Sequence, residues 1–136
     1  MEGREHMAVD TIYDRTLAAF EAVDRMRADQ FASLFSEDAT FRFGNADAVT
    51  GRHAVEAAVG GFFSTLGGLR HDISGIWTGT WEGGEVTSVE GTVTYTRKDG
   101  STTMPIPAVS TLRWRDDAIQ DYRIFVDLSP LFQPVG

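Results

Sequence analysis

A change of period near residue 69 limits the fold of this chain more than any other feature. From Leu69 to Asp127 apolar and polar residues alternate, broken only at Gly83-Gly84, Lys98-Asp99-Gly100-Ser101 and Asp116-Asp117. A period of two sends successive side chains to opposite faces of a strand. Each break is short enough for a hairpin. The pattern predicts four long strands, 70–81, 85–97, 102–115 and 118–127, joined as an antiparallel meander. Pro105 and Pro107 lack the amide donor a ladder needs, which predicts a bulge or an edge in the third strand. Gly75, Gly79 and Gly91 inside the strands permit strong coiling.

Upstream of residue 69 the period is helical. Tyr13, Leu17, Phe20 and Asp24 share one stripe of a helix over 11–28, capped by Asp10 or Thr11. Asp29 caps a short second helix, 30–35, with Phe31, Leu34 and Phe35 as its apolar residues. Residues 39–44 alternate and read as a strand, followed by a turn over 44–47 and a short return strand over 48–50. Gly51-Arg52 opens a third helix whose apolar face includes Val55, Val59, Phe62 and Phe63, and Gly67-Gly68 stops it. Three helices gathered before a sheet must cover one of its faces, so the fold class is α+β.

A chain of 136 residues fits a single domain, and no repeat or linker divides it. Its formal net charge of −8 argues against nucleic acid and anionic membranes as partners, since both repel a negative protein. The absence of cysteine excludes disulfides, thiolate catalysis and cysteine-bound zinc. His6, His53 and His71 show no metal-ligand spacing, so a dedicated transition-metal site is not expected. No apolar run reaches membrane-spanning length and no charged-then-apolar leader begins the chain, which reads as a soluble, cytoplasmic protein. Residues 1–7 resemble a cloning remnant, with Glu-Gly-Arg like a protease-site tail and His-Met like a restriction scar; a native start is the alternative.

Four stretches carry a family resemblance: Phe31-Ala-Ser-Leu-Phe-Ser-Glu-Asp-Ala-Thr-Phe41, Gly51-Arg-His-Ala-Val55, Leu69-Arg-His-Asp-Ile73 and Asp121-Tyr-Arg-Ile-Phe-Val-Asp-Leu-Ser-Pro-Leu131. In this order the chain resembles the nuclear-transport-factor-2-like superfamily, in its SnoaL-like polyketide cyclase branch, with ketosteroid isomerase and limonene epoxide hydrolase as relatives. The resemblance implies a cone of helices and strongly curved sheet around an apolar pocket. It implies a cofactor-independent cyclase or isomerase using acid–base chemistry on a hydrophobic, polyketide-like small molecule. It also implies, together with the outward threonines and charges of the long strands, a homodimer. The catalytic positions of those relatives fall here on Phe41, Phe43, Gly91, Val93 and Ile124, all apolar or glycine. A non-catalytic binding protein for a hydrophobic metabolite, or a dimerisation module with a filled pocket, therefore stand as alternatives.

The same comparison sets the inward phase of the strands. It places Phe41, Phe43, Val93 and Ile124 on the pocket wall, and the hairpin at Asp99-Gly100 adds Met104 and Ile106. Tyr13, Phe20, Phe62 and Trp77 are expected to add aromatic walls. His71 is the proton-transfer candidate, because imidazole titrates near neutral pH and the residue opens the first long strand. The alternative is a structural histidine at a helix–strand junction. Tyr95 and Tyr122 are hydrogen-bond donors to a substrate oxygen, or else core tyrosines satisfied locally. Asp121 and Asp127, with Arg123 between them, form an outward ladder. With the register moved by one they would instead be the pocket acids and base. Asp24 shares the stripe of Phe20, and its expected role is a solvated or capping one.

Overall fold

The computed structural model describes residues 11–133; the expectations for residues 1–7, His6 included, lie outside them. The helices are α1 (Ile12–Asp24), α2 (Ala28–Ala32), α3 (Arg52–Phe63) and α4 (Ser129–Phe132). The strands are β1 (Phe35–Phe43), β2 (Val49–Thr50), β3 (Leu66–Trp81), β4 (Gly84–Arg97), β5 (Ile106–Arg115) and β6 (Ala118–Val126). They form one sheet in the order β2-β1-β6-β5-β4-β3. β3 to β6 make the antiparallel meander, and β1 joins β6 in parallel. This is the α+β architecture expected, with a fourth, C-terminal helix that the sequence pattern did not announce.

Local chemistry accounts for the boundaries. Thr11 caps α1 by accepting the Asp14 amide through its hydroxyl. α3 ends at Phe63, before Gly67-Gly68, because Ser64 and Thr65 turn their hydroxyls back onto the carbonyls of Gly61 and Phe62. Gly67 instead lies within β3, where a Cβ would collide with the Arg97 carbonyl. The third long strand begins at Ile106 and not at residue 102. Pro105 offers no amide, and only a single bridge, Thr96 with Thr102, precedes the gap. The expected irregularity is there: Thr96 bridges Thr102 while Val93 pairs with Ile106, so residues 103–105 stand opposite only 94–95, one extra residue beside Pro105, and Pro107 then pairs in register with Thr92. A further bulge sits in β3, between Ile73 and Gly75.

The interior has two clusters. The larger, under α1 to α3, holds an aromatic group in which Tyr122 lies 5.3, 5.8 and 5.6 Å from the rings of Phe31, Phe35 and Phe41. Its buried polar atoms are satisfied: Trp114 donates to the Thr87 hydroxyl, which pairs with Thr16, which can donate to the Ile12 carbonyl. The smaller cluster joins Leu66, Val93, Tyr95 and Ile106 to Leu131 of α4. Arg97 holds α4 in place by donating to the carbonyls of Pro130 and Leu131.

Candidate functional site

A cavity of about 250 Å³ lies on the concave face of the sheet, bounded by residues of both clusters. Its wall is made by six phenylalanines (Phe20, Phe31, Phe41, Phe43, Phe62 and Phe63) together with aliphatic strand residues such as Val89, Val93 and Ile124. The phase of each strand puts these side chains inward: Phe41 and Phe43 face Tyr122 and Ile124 across the parallel β1–β6 pair. Gly91 also lines the wall, and any Cβ there would strike the Asp72 backbone, so the position is closed to larger residues.

Few polar groups reach this space: His71, Tyr95, Thr92 and Ser110 from the strands, with Asp47 and Asp72 at the exposed edge. His71 is paired. Its Nδ1 lies 2.6 Å from Asp24 Oδ1, and its backbone amide donates to Oδ2 of the same carboxylate at 3.2 Å. A carboxylate can only accept, so Nδ1 carries a proton, and in the neutral imidazole Nε2 is then the nitrogen with the lone pair. Phe20 packs edge-on against the imidazole at 4.9 Å. The side chains of His71 and Asp24 are 17% and 31% exposed, so the pair is partly screened from solvent, and His71 is the member that borders the cavity.

Asp24 is the residue that sequence reasoning missed. It is the last residue of α1, where the helix dipole disfavours a negative charge. That misplacement was the readable signal: an acid on the inward stripe at a helix C-terminus needs a cationic or N–H partner. His71, three residues after the Gly68 that brings β3 back along α1, supplies it.

The other candidates separate. Tyr95 lines the cavity and packs against Phe62 at 5.7 Å; its hydroxyl has no hydrogen-bond partner among the described residues. Burial pushes its phenol well above the ordinary range. Tyr122 is the core tyrosine of its two readings and not a donor to a ligand in the cavity, because the helices close over this end and leave it enclosed by Phe31, Phe35 and Phe41. Burial raises its phenol, the Ser110 side chain opposes the rise by hydrogen bonding, and the Asp24 charge adds to it.

Asp121 faces the convex side, bound to Arg113 at 3.1 Å, Arg123 at 2.9 Å and the Thr40 hydroxyl. Asp127 is exposed and caps α4 through the Ser129 amide, which holds its carboxyl below the usual range. Neither is a pocket acid. Trp77 is 56% exposed, because the β3 bulge shifts the phase by one and sends it to the convex face. Tyr13 is exposed since α1 buries the stripe of Thr16, Ala19 and Phe20 instead. Met104 falls before β5 and is exposed, while Ile106 is buried in the smaller cluster and off the cavity wall. Among the described residues, no three histidine, aspartate or glutamate side chains converge as a metal site, and no helix is long and apolar enough to cross a membrane.

Solved structures with this arrangement are numerous. One is a protein of ketosteroid-isomerase-like fold from Catenulispora acidiphila in complex with trimethylamine, at 16% identity and TM-score 0.73, covering 85% of this chain and 86% of its own. Another is an epoxide hydrolase of the limonene-epoxide-hydrolase-like type from M. tuberculosis, at 14% identity and TM-score 0.68, covering 86% and 83%. A third, TerC co-crystallised with polyporic acid, has 16% identity and TM-score 0.70, covering 86% and 92%. At these identities the likeness is one of fold. No curated protein matches the sequence. The profile of the SnoaL-like domain matches residues 16–122, a span that runs from α1 through Asp24 and His71 to Tyr122 in β6, and the chain therefore belongs to the SnoaL-like domain family.

Proposed function

We propose that the chain is a cofactor-independent enzyme performing acid–base chemistry on a small hydrophobic, polyketide-like molecule, as a cyclase or isomerase. The observation that carries this is the imidazole of His71, held by Asp24 at 2.6 Å, on the wall of an otherwise apolar cavity. His71 Nε2 takes a proton from a carbon beside a carbonyl, leaving an enolate and an imidazolium that Asp24 stabilises. The enolate is then reprotonated at another carbon by the same imidazolium, or closes a ring on a second carbonyl. The Tyr95 hydroxyl donates to the developing oxyanion. The dry wall holds the reacting carbons together and keeps water from quenching the enolate.

A positioned acid–base group contributes about a hundredfold to ten-thousandfold. His71→Ala and His71→Gln should each lower turnover by at least about a hundredfold with little change in melting temperature, as the glutamine keeps a hydrogen bond but carries no proton. Turnover within about threefold of the parent would remove His71 from the mechanism. A second reading, a non-catalytic carrier of a hydrophobic metabolite, is favoured by the apolar residues at Phe43, Val93 and Ile124, which stand where relatives carry catalytic groups. Under it, the same variants change affinity alone.

The protein works as a homodimer joined through the convex face of the sheet, where Trp77 and Phe125 are exposed at 56% and 58%. Light scattering at micromolar concentration tests this: a mass near the 14.9 kDa of one chain would refute it.

A further inference from the structure

The cavity also carries information about its ligand. At about 250 Å³ it is larger than the roughly 150 Å³ apolar cavity that holds benzene and smaller than the roughly 300 Å³ at which drug-sized sites begin. Among the described residues, no lysine or arginine lines it. The carboxylates that line it among the described residues, Asp47 and Asp72, are exposed at its edge, and the Asp24 carboxylate behind the wall is engaged by His71. An anion entering would lose its hydration without gaining a cationic partner, and would pass two like charges on the way.

One further feature sets the size limit. Phe43 and Phe62 meet edge-to-face at 4.9 Å, and both rings also line a shallow groove on the outer side, beside Phe132 of α4. The pair, with Ala46 and Val126, which also line both spaces, thus stands as a partition between the inner cavity and the outer groove. From these observations we infer that the ligand is an uncharged molecule of one or two rings, with an oxygen function for His71 and Tyr95, and that Phe43 and Phe62 set its size limit. This rests on the reading that the inner cavity is the substrate site.

The test is calorimetric binding at neutral pH with naphthol, naphthoate and estradiol. Naphthol and naphthoate differ in charge at nearly equal size; naphthol and estradiol share a phenol and differ in ring number. Naphthol should bind the parent protein, with naphthoate and estradiol each weaker by at least about tenfold. Phe62→Ala should open the partition and bring estradiol to within about threefold of naphthol, while leaving naphthoate excluded. Phe43→Val, a milder opening of the same partition, should move estradiol in the same direction. The inference is overturned if naphthol does not bind, if naphthoate binds the parent as well as naphthol, or if estradiol does so. It is equally overturned if neither opening admits estradiol. Because binding is read and not turnover, an intact selectivity beside a silent His71→Ala would sink the catalytic reading and leave this one standing.

Discussion

Tyr95 and Tyr122 mark two ends of one interior built in opposite ways. Both sit on inward strand phases, both are buried, and both phenols are pushed up by desolvation. Tyr122 is locked among three phenylalanine rings beneath the helices. Tyr95 touches one ring, Phe62, and borders open volume. Strand phase, bulges included, decides which face a side chain takes; how far the helices reach over that face decides whether it meets packing or space. The solid end holds the sheet and α2 together, and the hollow end is free to take a ligand.

The largest effect expected from this contrast is in stability. Phe35, 1% exposed in the solid end, stacks on Tyr122 and meets Phe31 at 5.0 Å. Phe35→Ala should cost about 3–5 kcal/mol, the usual loss for a large aromatic whose site cannot collapse. Phe43→Ala, at a partly exposed wall that already borders a cavity, should cost less than about half as much. Urea denaturation of both variants checks the difference. Equal losses would mean that the hollow end is packed as tightly as the solid one.

That contrast also explains what was legible in the sequence. The meander and the three helices follow from local periodicity, which short-range sterics enforce, whereas the inward phase of Phe41, Val93 and Ile124 comes from the family resemblance, since a period of two does not say which face is the inner one. Trp77 was misplaced because a single bulge between Ile73 and Gly75 inverts the phase beyond it, and nothing in a period-two count marks a bulge at Ser74. Tyr13 was misplaced because α1 presents two overlapping stripes, and the buried one uses small residues, Thr16 and Ala19, that look unremarkable beside Tyr13 and Leu17. The His71–Asp24 pair joins residues 47 apart in the chain, a distance over which no helical or strand period carries information. Only the electrostatics of Asp24 at its helix end pointed to it, and that signal names a need for a partner without naming the partner.

The smallest stability effect separates the two ends most cleanly. Tyr95→Phe removes a hydroxyl that has no partner among the described residues, so at neutral pH it should change stability by less than about 0.5 kcal/mol. Alkaline pH should reveal it. An unfolded tyrosine ionises near pH 10, whereas folded Tyr95 holds its proton to higher pH because burial disfavours the phenolate. Above pH 10 the unfolded chain therefore releases a proton that the folded chain retains, and stability falls by about 1.4 kcal/mol per pH unit for that tyrosine. Phenylalanine has no proton to release, so the variant should lose stability less steeply than the parent above pH 10 and match it below. Tyr122 keeps its own share of the alkaline decline in both proteins. Urea midpoints at neutral and alkaline pH measure the two regimes. A neutral-pH loss above about 1 kcal/mol would mean that the Tyr95 hydroxyl is held by a partner, as buried hydroxyls of a solid core are, and the donor assigned to the substrate oxygen would already be spent.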